Sequence, residues 1–240
     1  MILNRFGQPV GEPVPDWQPP PRPQRDVLGG RFARLEPLDP VRHGDDLFAA
    51  CCAPDNDAGW TYLPAMPFAD RAAYQAALED HARAEDPLFF AIVDATNGRA
   101  MGEASYLRID PDGGCIEVGH LHFGPAMRGA RMATEAMSLM MAHAFELGDR
   151  RYEWKCDSLN APSRRAALRL GFTFEGEFRQ ARVVKGRNRD TAWFSIIDRE
   201  WPAVRAAHSA WLDDANFDER GRQRVSLSML TRQALSRTSP

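Results

Sequence analysis

The sequence lacks long apolar runs, a strong charge of either sign and an apolar leader. No stretch of about 18 apolar residues occurs among the 240, so we expect no membrane-spanning helix. The first residues, MILNRFGQPVGEP, have neither the apolar core nor the small-residue cleavage site of a signal peptide. A formal net charge of -3 gives no reason to expect a dedicated nucleic-acid binder.

Cysteine is scarce as well, and its spacing excludes the common cysteine frameworks. The four cysteines are Cys51, Cys52, Cys115 and Cys156. They form no CxxC motif, and their spacing suggests neither a zinc site nor a set of disulfides. We therefore expect buried free thiols, a cytoplasmic location and no metal. With 44% hydrophobic and 26% charged residues, the chain has the composition of one large globular domain or one domain with extensions.

Proline is concentrated at the N-terminus. Residues 1–26 hold seven prolines, which excludes a helix and predicts an extended arm. We favour a loosely packed lead-in over a peptide ligand for a proline-binding module. Trp17 is the residue most suited to attach this arm to the body of the protein.

The rest of the chain mixes helices and strands, which indicates an α/β (mixed α+β) fold. A strand near residues 28–38 is followed by a helix that opens at Asp39 or Pro40, and Asp70 is suited to cap a second helix. Three strands then form a meander, followed by a loop and a helix, a strand, a helix capped by Asn160 and an antiparallel pair. We expect domain boundaries at 27–201, with residues 202–240 as a helical extension packed on the same domain.

The loop and helix in GPAMRGARMATEAM pose a specific question, because no Ser, Asp or Asn caps the helix start. Helix N-termini carry unpaired N–H groups and partial positive charge, so an anion can take the place of a side-chain cap. The basic residues Arg128 and Arg131 would favour that anion. From the loop alone, an ordinary strand–helix turn with surface arginines is an equally good interpretation.

Two motifs in this order resemble the GNAT superfamily of acyl-CoA-dependent N-acyltransferases. The loop RGARMA is similar to that family's pyrophosphate-binding segment, although Arg131 stands where Gly is usual, and the following TEA matches a common continuation. NAPSRRAALRLGF, which begins at Asn160, is similar to the NxxSxxxxxxxGF helix of the ribosomal-protein alanine and serine acetyltransferases. The resemblance covers about residues 28–200, and the order and separation of the motifs make it specific.

The resemblance implies a mostly antiparallel sheet with a splayed central strand pair and helices on both faces. It also implies acetyl-CoA as cosubstrate, transfer of acetyl to a primary amine by direct attack in a ternary complex, and no metal. Backbone groups near Leu121 and Phe123 would hold the pantetheine arm, with the Phe123 N–H as oxyanion donor. The pyrophosphate would lie on the loop and helix start, formed by Arg128, Gly129, Ala130, Arg131, Met132, Ala133 and Thr134.

The chemistry also needs a base and a partner for the leaving thiolate. We predict Glu117 as the base, through water, with His120 and Glu103 as rivals. Many GNAT enzymes place a Tyr seven residues after the motif Asn, but Ala167 stands there. The resemblance therefore assigns Ser163 to the CoA sulfur and Asn160 to the pantetheine amide or oxyanion region, while simple capping roles are the alternative.

For the acceptor site, we predict walls formed by Trp60, Tyr62, His120 and Trp154. Between residues 160 and 190 there are eight basic residues and three acidic ones. These basic residues would either form a solvated surface or bind anions. In the second case, Arg164 or Arg165 would meet the CoA 3′-phosphate, and an anionic acceptor would meet Lys185, Arg187 and Arg189.

Three functions follow from these patterns. The first is an acetyl-CoA-dependent N-acetyltransferase acting on a protein N-terminus or a small-molecule amine. The second is a non-catalytic acyl-CoA-binding regulatory or interaction module, favoured by Arg131 and by the missing Tyr. The third, a nucleotide- or RNA-binding partner protein, rests on the basic segment alone. The sequence leaves open whether the arm and tail form a homodimer.

Overall fold

The structure, a computed structural model, describes residues 1–237, except the side chains of residues 54 and 55. Its ten strands are β1 (Ile2–Leu3), β2 (Pro9–Val10), β3 (Leu28–Gly29), β4 (Ala33–Pro37), β5 (Leu88–Asp94), β6 (Ala100–Asp110), β7 (Cys115–Phe123), β8 (Arg151–Asp157), β9 (Thr173–Val184) and β10 (Arg187–Ile197). Its six α-helices are α1 (Pro40–Cys51), α2 (Arg71–Arg83), α3 (Arg131–Leu147), α4 (Ala161–Arg169), α5 (Trp201–Leu212) and α6 (Leu227–Ser236). Three 3-10 helices lie at Pro54–Trp60, Pro125–Met127 and Asp214–Asn216.

Eight strands form one sheet in the order β3-β4-β5-β6-β7-β8-β10-β9. Neighbouring strands are antiparallel except β7 and β8, which are parallel. The parallel pair is in register only between Cys115–Val118 and Arg151–Trp154, and beyond these residues the two strands separate. The predicted mixed fold with a splayed central pair is confirmed. Strands β1 and β2 form a separate two-stranded sheet in the N-terminal arm.

Alternation of side chains along the strands divides the core between the two faces of the sheet. The larger core contains Tyr106, Val118 and Trp154 from the strands and the methionines of α3. The smaller core packs Leu47 of α1 and other side chains of the two N-terminal helices against β5. Helices therefore lie on both faces, as predicted.

Local capping confirms the predicted starts of three helices. The carboxylate of Asp39 accepts hydrogen bonds from the first turn of α1, and that of Asp70 accepts one from Ala73 N in α2. Asn160 caps α4 by accepting from Ser163 N at 3.1 Å. Each cap satisfies an N–H that would otherwise lack a partner.

The chain ends pack on the sheet domain at defined points. In the arm, Trp17 lies under Arg150, whose guanidinium is 5.4 Å from the indole centroid. In the tail, Trp211 of α5 and Leu227 of α6 belong to the larger core. No helix within residues 1–237 is long and apolar enough to cross a membrane.

The cysteines differ in part from expectation. All four are free, as predicted, but only Cys51 and Cys156 are buried, while Cys52 and Cys115 are half-buried. Cys115 begins β7 beside an exposed turn, which explains its partial exposure. In the part of the chain that the structure describes, no group of three or more His, Cys, Asp and Glu residues could hold a metal ion.

Candidate active site

The separation of β7 from β8 opens a cleft of about 2080 Å³. Its walls come from Gly119–Phe123 of β7, from Trp154–Asp157 of β8 and from the start of α3. Where two parallel strands separate, their backbone groups are no longer used by the ladder and can bind a ligand. The cleft runs from the face of the sheet that holds α3 and α4 to the opposite face, where Glu117 lies.

The start of α3 has no side-chain cap. Ala130 occupies the cap position with extended backbone, and none of its side-chain atoms can accept a hydrogen bond. Gly129 has φ +77°, and a Cβ there would meet nothing within 4 Å. Unpaired N–H groups and open space thus coincide at the cleft wall, which fits a phosphate group.

The two arginines of this loop are held by other parts of the chain. Arg128 donates from Nη2 to Asn56 and from Nε to the Phe123 carbonyl oxygen at 3.2 Å. Its guanidinium therefore fixes the loop against the end of β7.

Arg131 has a negative φ, since it lies in α3 and not in the left-handed region. Its guanidinium is 2.8 Å from Asp214 and stacks on Phe217, 3.5 Å from the ring centroid. The Arg131 side chain therefore lines the cleft with its guanidinium bound to the tail. Arg131 ties the helix start to the tail, a contact between segments more than 80 residues apart that no local pattern indicates.

Basic side chains that the sequence did not single out lie at the same end of the cleft. Arg169 of α4 donates to Thr134 Oγ1 at 3.0 Å, and Arg222 and Arg232 of the tail also line the wall. Arg165, predicted for the 3′-phosphate, is there too, whereas Arg164 pairs with Glu177. This end of the cleft is therefore positively charged.

The backbone of β7 changes direction where it passes the cleft. His120 has φ +49°, and the register with β6 shifts between Glu103 and Ser105. Further along, Gly124 N donates to Met101 O at 2.9 Å, on the β6 side. Because successive N–H groups of a strand point to opposite sides, the N–H of Phe123 points away from β6 toward the opening.

Across the cleft, Asn160 and Ser163 lie at the start of α4. The Ser163 hydroxyl accepts a hydrogen bond from the indole N–H of Trp154 at 3.0 Å. With that acceptor position used, its own O–H is free to donate, and the nearby thiol of Cys156 is one acceptor. Trp154 lines the cleft, although it is only 5% exposed and packs on Phe172, and its indole also supports Ser163.

Glu117 lies in a buried ion cluster. Its Oε2 is 2.8 Å from Lys155 Nζ and 2.8 Å from Arg108, and Lys155 is also 2.6 Å from Glu153. Burial raises the pKa of Glu117, although Lys155 and Arg108 oppose the shift. Glu117 and Glu153 are paired directly across β7 and β8, so a cation between the two carboxylates reduces their repulsion. Because side chains alternate along EWKCD, Lys155 lies on the same face as Glu153, which is the sequence signal for this cation.

The rival bases lie further along the same face. His120 lines the cleft with Nδ1 2.8 Å from Ser105 Oγ, and burial lowers its pKa to about 4, so its ring is neutral at pH 7. His122 is also buried with a pKa lowered to about 4. Glu103 accepts from the Tyr74 hydroxyl and lies 3.3 Å from His81, which removes it from the cleft.

The predicted aromatic walls of the acceptor site are partly wrong. Trp60 is buried in the smaller core, donates to Cys51 O at 3.2 Å and does not line the cleft. Tyr62 does line it, and its hydroxyl donates to Leu159 O at 3.1 Å, across the opening. From the β9–β10 hairpin, Lys185 donates to Trp60 O at 2.7 Å. Two hydrogen bonds thus bridge the segments at this end of the cleft.

Comparison with protein families agrees with this geometry. The model of the acetyltransferase (GNAT) domain matches residues 34–173, more than half of the chain. The chain therefore belongs to the GNAT acetyltransferase family.

Solved structures carry the similarity further. A GCN5-related N-acetyltransferase from Brucella melitensis is 48% identical, with a TM-score of 0.89, over 91% of this chain and 100% of that one. A probable acetyltransferase of the GNAT family from Chromobacterium violaceum is 41% identical, with a TM-score of 0.76, over 82% and 98%. A ribosomal-protein α-N-acetyltransferase is 19% identical with a TM-score of 0.62, so the predicted Rim-type branch is a distant neighbour in fold.

A curated relative, the uncharacterized N-acetyltransferase p20 of Bacillus licheniformis, is 30% identical over 113 residues. That match covers 47% of this chain and spans 63% of the length of the relative.

Proposed function

We propose that this protein is an acetyl-CoA-dependent N-acetyltransferase that acts on a primary amine. The observation that carries the proposal is the uncapped start of α3 on one side of the cleft, with the Ser163 hydroxyl on the other side. A phosphate group fits the first feature and a sulfur atom fits the second. Acetyl-CoA carries both and supplies the activated acetyl group as a thioester.

The residues that would bind the phosphates are those of the positive end of the cleft. A phosphate would take the place of the missing cap by accepting from the N–H groups of Arg131 to Ala133, and Arg165 and Arg169 would add charge. Gly129 keeps the approach to the helix start open. Arg131 acts indirectly by holding this start against the tail, because its guanidinium is already bound by Asp214.

Backbone groups of β7 would position the acyl end. Backbone groups of Leu121 and Phe123 would line the opening, and the Phe123 N–H would donate to the carbonyl oxygen as negative charge develops there. Ser163, oriented by Trp154, donates its proton toward the leaving sulfur. Asn160 fixes the helix turn that carries Ser163.

A primary amine is protonated at neutral pH, since an ammonium has a pKa of ~10.4, and must lose a proton before it can attack. We propose the Glu117 carboxylate as the acceptor of that proton, through a water molecule. Its burial raises its basicity, while Lys155 and Arg108 keep it ionised between proton transfers. Ser163 and Glu117 lie on opposite faces of the sheet, so the acyl donor and the amine would enter from opposite ends of the cleft.

Two measurements test the proposal together. Calorimetric titration with acetyl-CoA should show binding at micromolar concentration, and a thiol reagent should detect free CoA when an accepted amine from a panel of amines and peptides is added. Saturable binding without thiol release from any amine would instead identify a non-catalytic acyl-CoA-binding module. Absence of binding would refute both functions.

A further inference from the structure

Two arginines stand side by side on the wall of the cleft opposite the phosphate-binding end. Arg182 of β9 and Arg189 of β10 are directly paired across the hairpin, and both line the cleft. Like charges directly opposite each other on a sheet are unfavourable unless an anion lies between or beside them. A negative charge beside the pair would therefore stabilise it.

No carboxylate within residues 1–237 forms an ion pair with either arginine. Neither arginine side chain makes a hydrogen bond or salt bridge within residues 1–237, and the Nε atom of Arg189 is buried without a partner. Other arginines of this region are paired, as Arg151 is with Glu175 and Arg164 is with Glu177. A buried guanidinium N–H without a partner is costly, so a ligand that accepts from it has a specific place to bind.

The position of the pair assigns it to the acceptor rather than to the acyl donor. Residues two apart on a strand share a face, so Arg189 lies on the same face as Trp193. The indole of Trp193 packs on Lys155 Nζ, 3.8 Å from the ring centroid, and Lys155 is bound to Glu117. The phosphate-binding helix start lies on the opposite face, among the larger core.

Charges of both signs are arranged around this end of the cleft. Glu117 and Asp157 provide carboxylates suited to an amine. Within residues 1–237, the Asp157 carboxylate accepts one hydrogen bond, from Leu159 N at 2.9 Å. Arg182 and Arg189 provide donors suited to an anion. The bridges through Tyr62 and Lys185 restrict the space between these groups.

We propose that Arg182 and Arg189 form a subsite for the carboxylate of the acceptor, which is a small amine of the amino-acid class. The inference rests on the proposed N-acetyltransferase function and specifies its substrate. A guanidinium pair can hold a carboxylate through several parallel N–H donors, which discriminates strongly against a neutral carboxamide of the same shape. Lys185 and Arg187, predicted beside Arg189, do not contribute: Lys185 is bound to Trp60 O, and Arg187 does not line the cleft.

The test compares amino acids with their carboxamides as acceptors in the thiol-release assay. For an accepted side chain, the native protein should favour the acid over the amide by about tenfold or more in kcat/KM. Arg189→Gln and Arg182→Gln should reduce that ratio to below about threefold through the acceptor KM, with the KM for acetyl-CoA unchanged. Arg187→Gln, an exposed arginine on the same hairpin outside the cleft, is the matched control and should keep the native ratio.

Three results would overturn the subsite. The first is a native preference for amides, and the second is an equal loss of activity on acids and amides in Arg189→Gln. The third is a weakened affinity for acetyl-CoA in either variant, which would assign the pair to a CoA phosphate. If the protein binds acetyl-CoA but transfers nothing, the proposed function fails separately. In that case, the affinities of N-acetyl amino acids and of their amides for the CoA-saturated protein are compared. Tighter binding of the acid that is lost in Arg189→Gln supports the subsite. Equal binding of acid and amide refutes it.

Discussion

Replacing Lys155 by Met tests the ion cluster that surrounds the proposed base. The Nζ atom of Lys155 lies 2.8 Å from Glu117 and 2.6 Å from Glu153, and the side chain is 6% exposed. Removing one member of a buried ion pair typically costs 3–5 kcal/mol, because a buried charge loses its partner. Glu117 keeps its ion pair with Arg108, and Glu153 keeps its ion pair with Arg151. We therefore expect a loss of unfolding free energy at the lower end of this range, about 3 kcal/mol at pH 7.

The pH dependence of this loss gives the reasoning a second test. Burial raises the pKa of Glu117 and would raise that of Glu153, but Lys155 and Arg151 hold the pKa of Glu153 below its usual value. Without Lys155 both folded-state pKa values rise. A carboxyl whose pKa is raised in the folded state destabilises the fold above that pKa, and the penalty disappears as the pH falls through it.

Urea unfolding at pH 7 and pH 5 measures both effects. The free-energy deficit of Lys155→Met should be smaller at pH 5 than at pH 7. Lys185→Met removes the exposed lysine that donates to Trp60 O and is the matched control, with an expected cost below about 1 kcal/mol. A deficit below 1 kcal/mol for Lys155→Met, or one that grows as the pH falls, would show that Lys155 does not stabilise the two carboxylates.

Three further substitutions probe the cleft. Ser163→Ala should lower kcat by about a hundredfold or more with little change in acetyl-CoA affinity, because one transition-state donor is lost. Ser209→Ala, on the exposed side of α5, should have no effect. Arg131→Ala should leave the acetyl-CoA affinity within about threefold of the native value in a titration. It should lower the melting temperature, because the Arg131 guanidinium binds the tail. A tenfold weaker affinity would instead place this guanidinium on the phosphates. Gly129→Ala should cost about 1 kcal/mol of stability in urea unfolding and weaken acetyl-CoA binding, because φ +77° is unfavourable for Ala, whereas Gly11→Ala in the open arm should do neither.

The elements and their order could be predicted because their signals are local. Asp39, Asp70 and Asn160 precede apolar periodic segments and cap the helices that follow. The separation of β7 from β8 came from the resemblance to the GNAT family, since no local pattern of side chains encodes where two strands diverge. The register shift near His120 is equally invisible in the alternating sequence IEVGHLHF.

The candidate site was only partly predictable because its side chains are fixed by distant partners. Trp60 was expected in the cleft as an aromatic residue in a loop, but its indole N–H reaches Cys51 O and buries the ring. Arg131 was expected near phosphate, and only the fold shows Asp214 beside it. Arg182, by contrast, was not singled out, since its pairing with Arg189 depends on two extra residues in β9 that shift the register.

The measurement that tests the central claim most directly is hydrogen exchange at the start of α3. The uncapped N–H groups at residues 131–133 should exchange quickly in the free protein and be protected about tenfold or more by saturating acetyl-CoA. The start of α2, already capped by Asp70, should not change. Protection confined to other segments, or none at residues 131–133 when acetyl-CoA is bound, would contradict the assignment of this helix start to the phosphates.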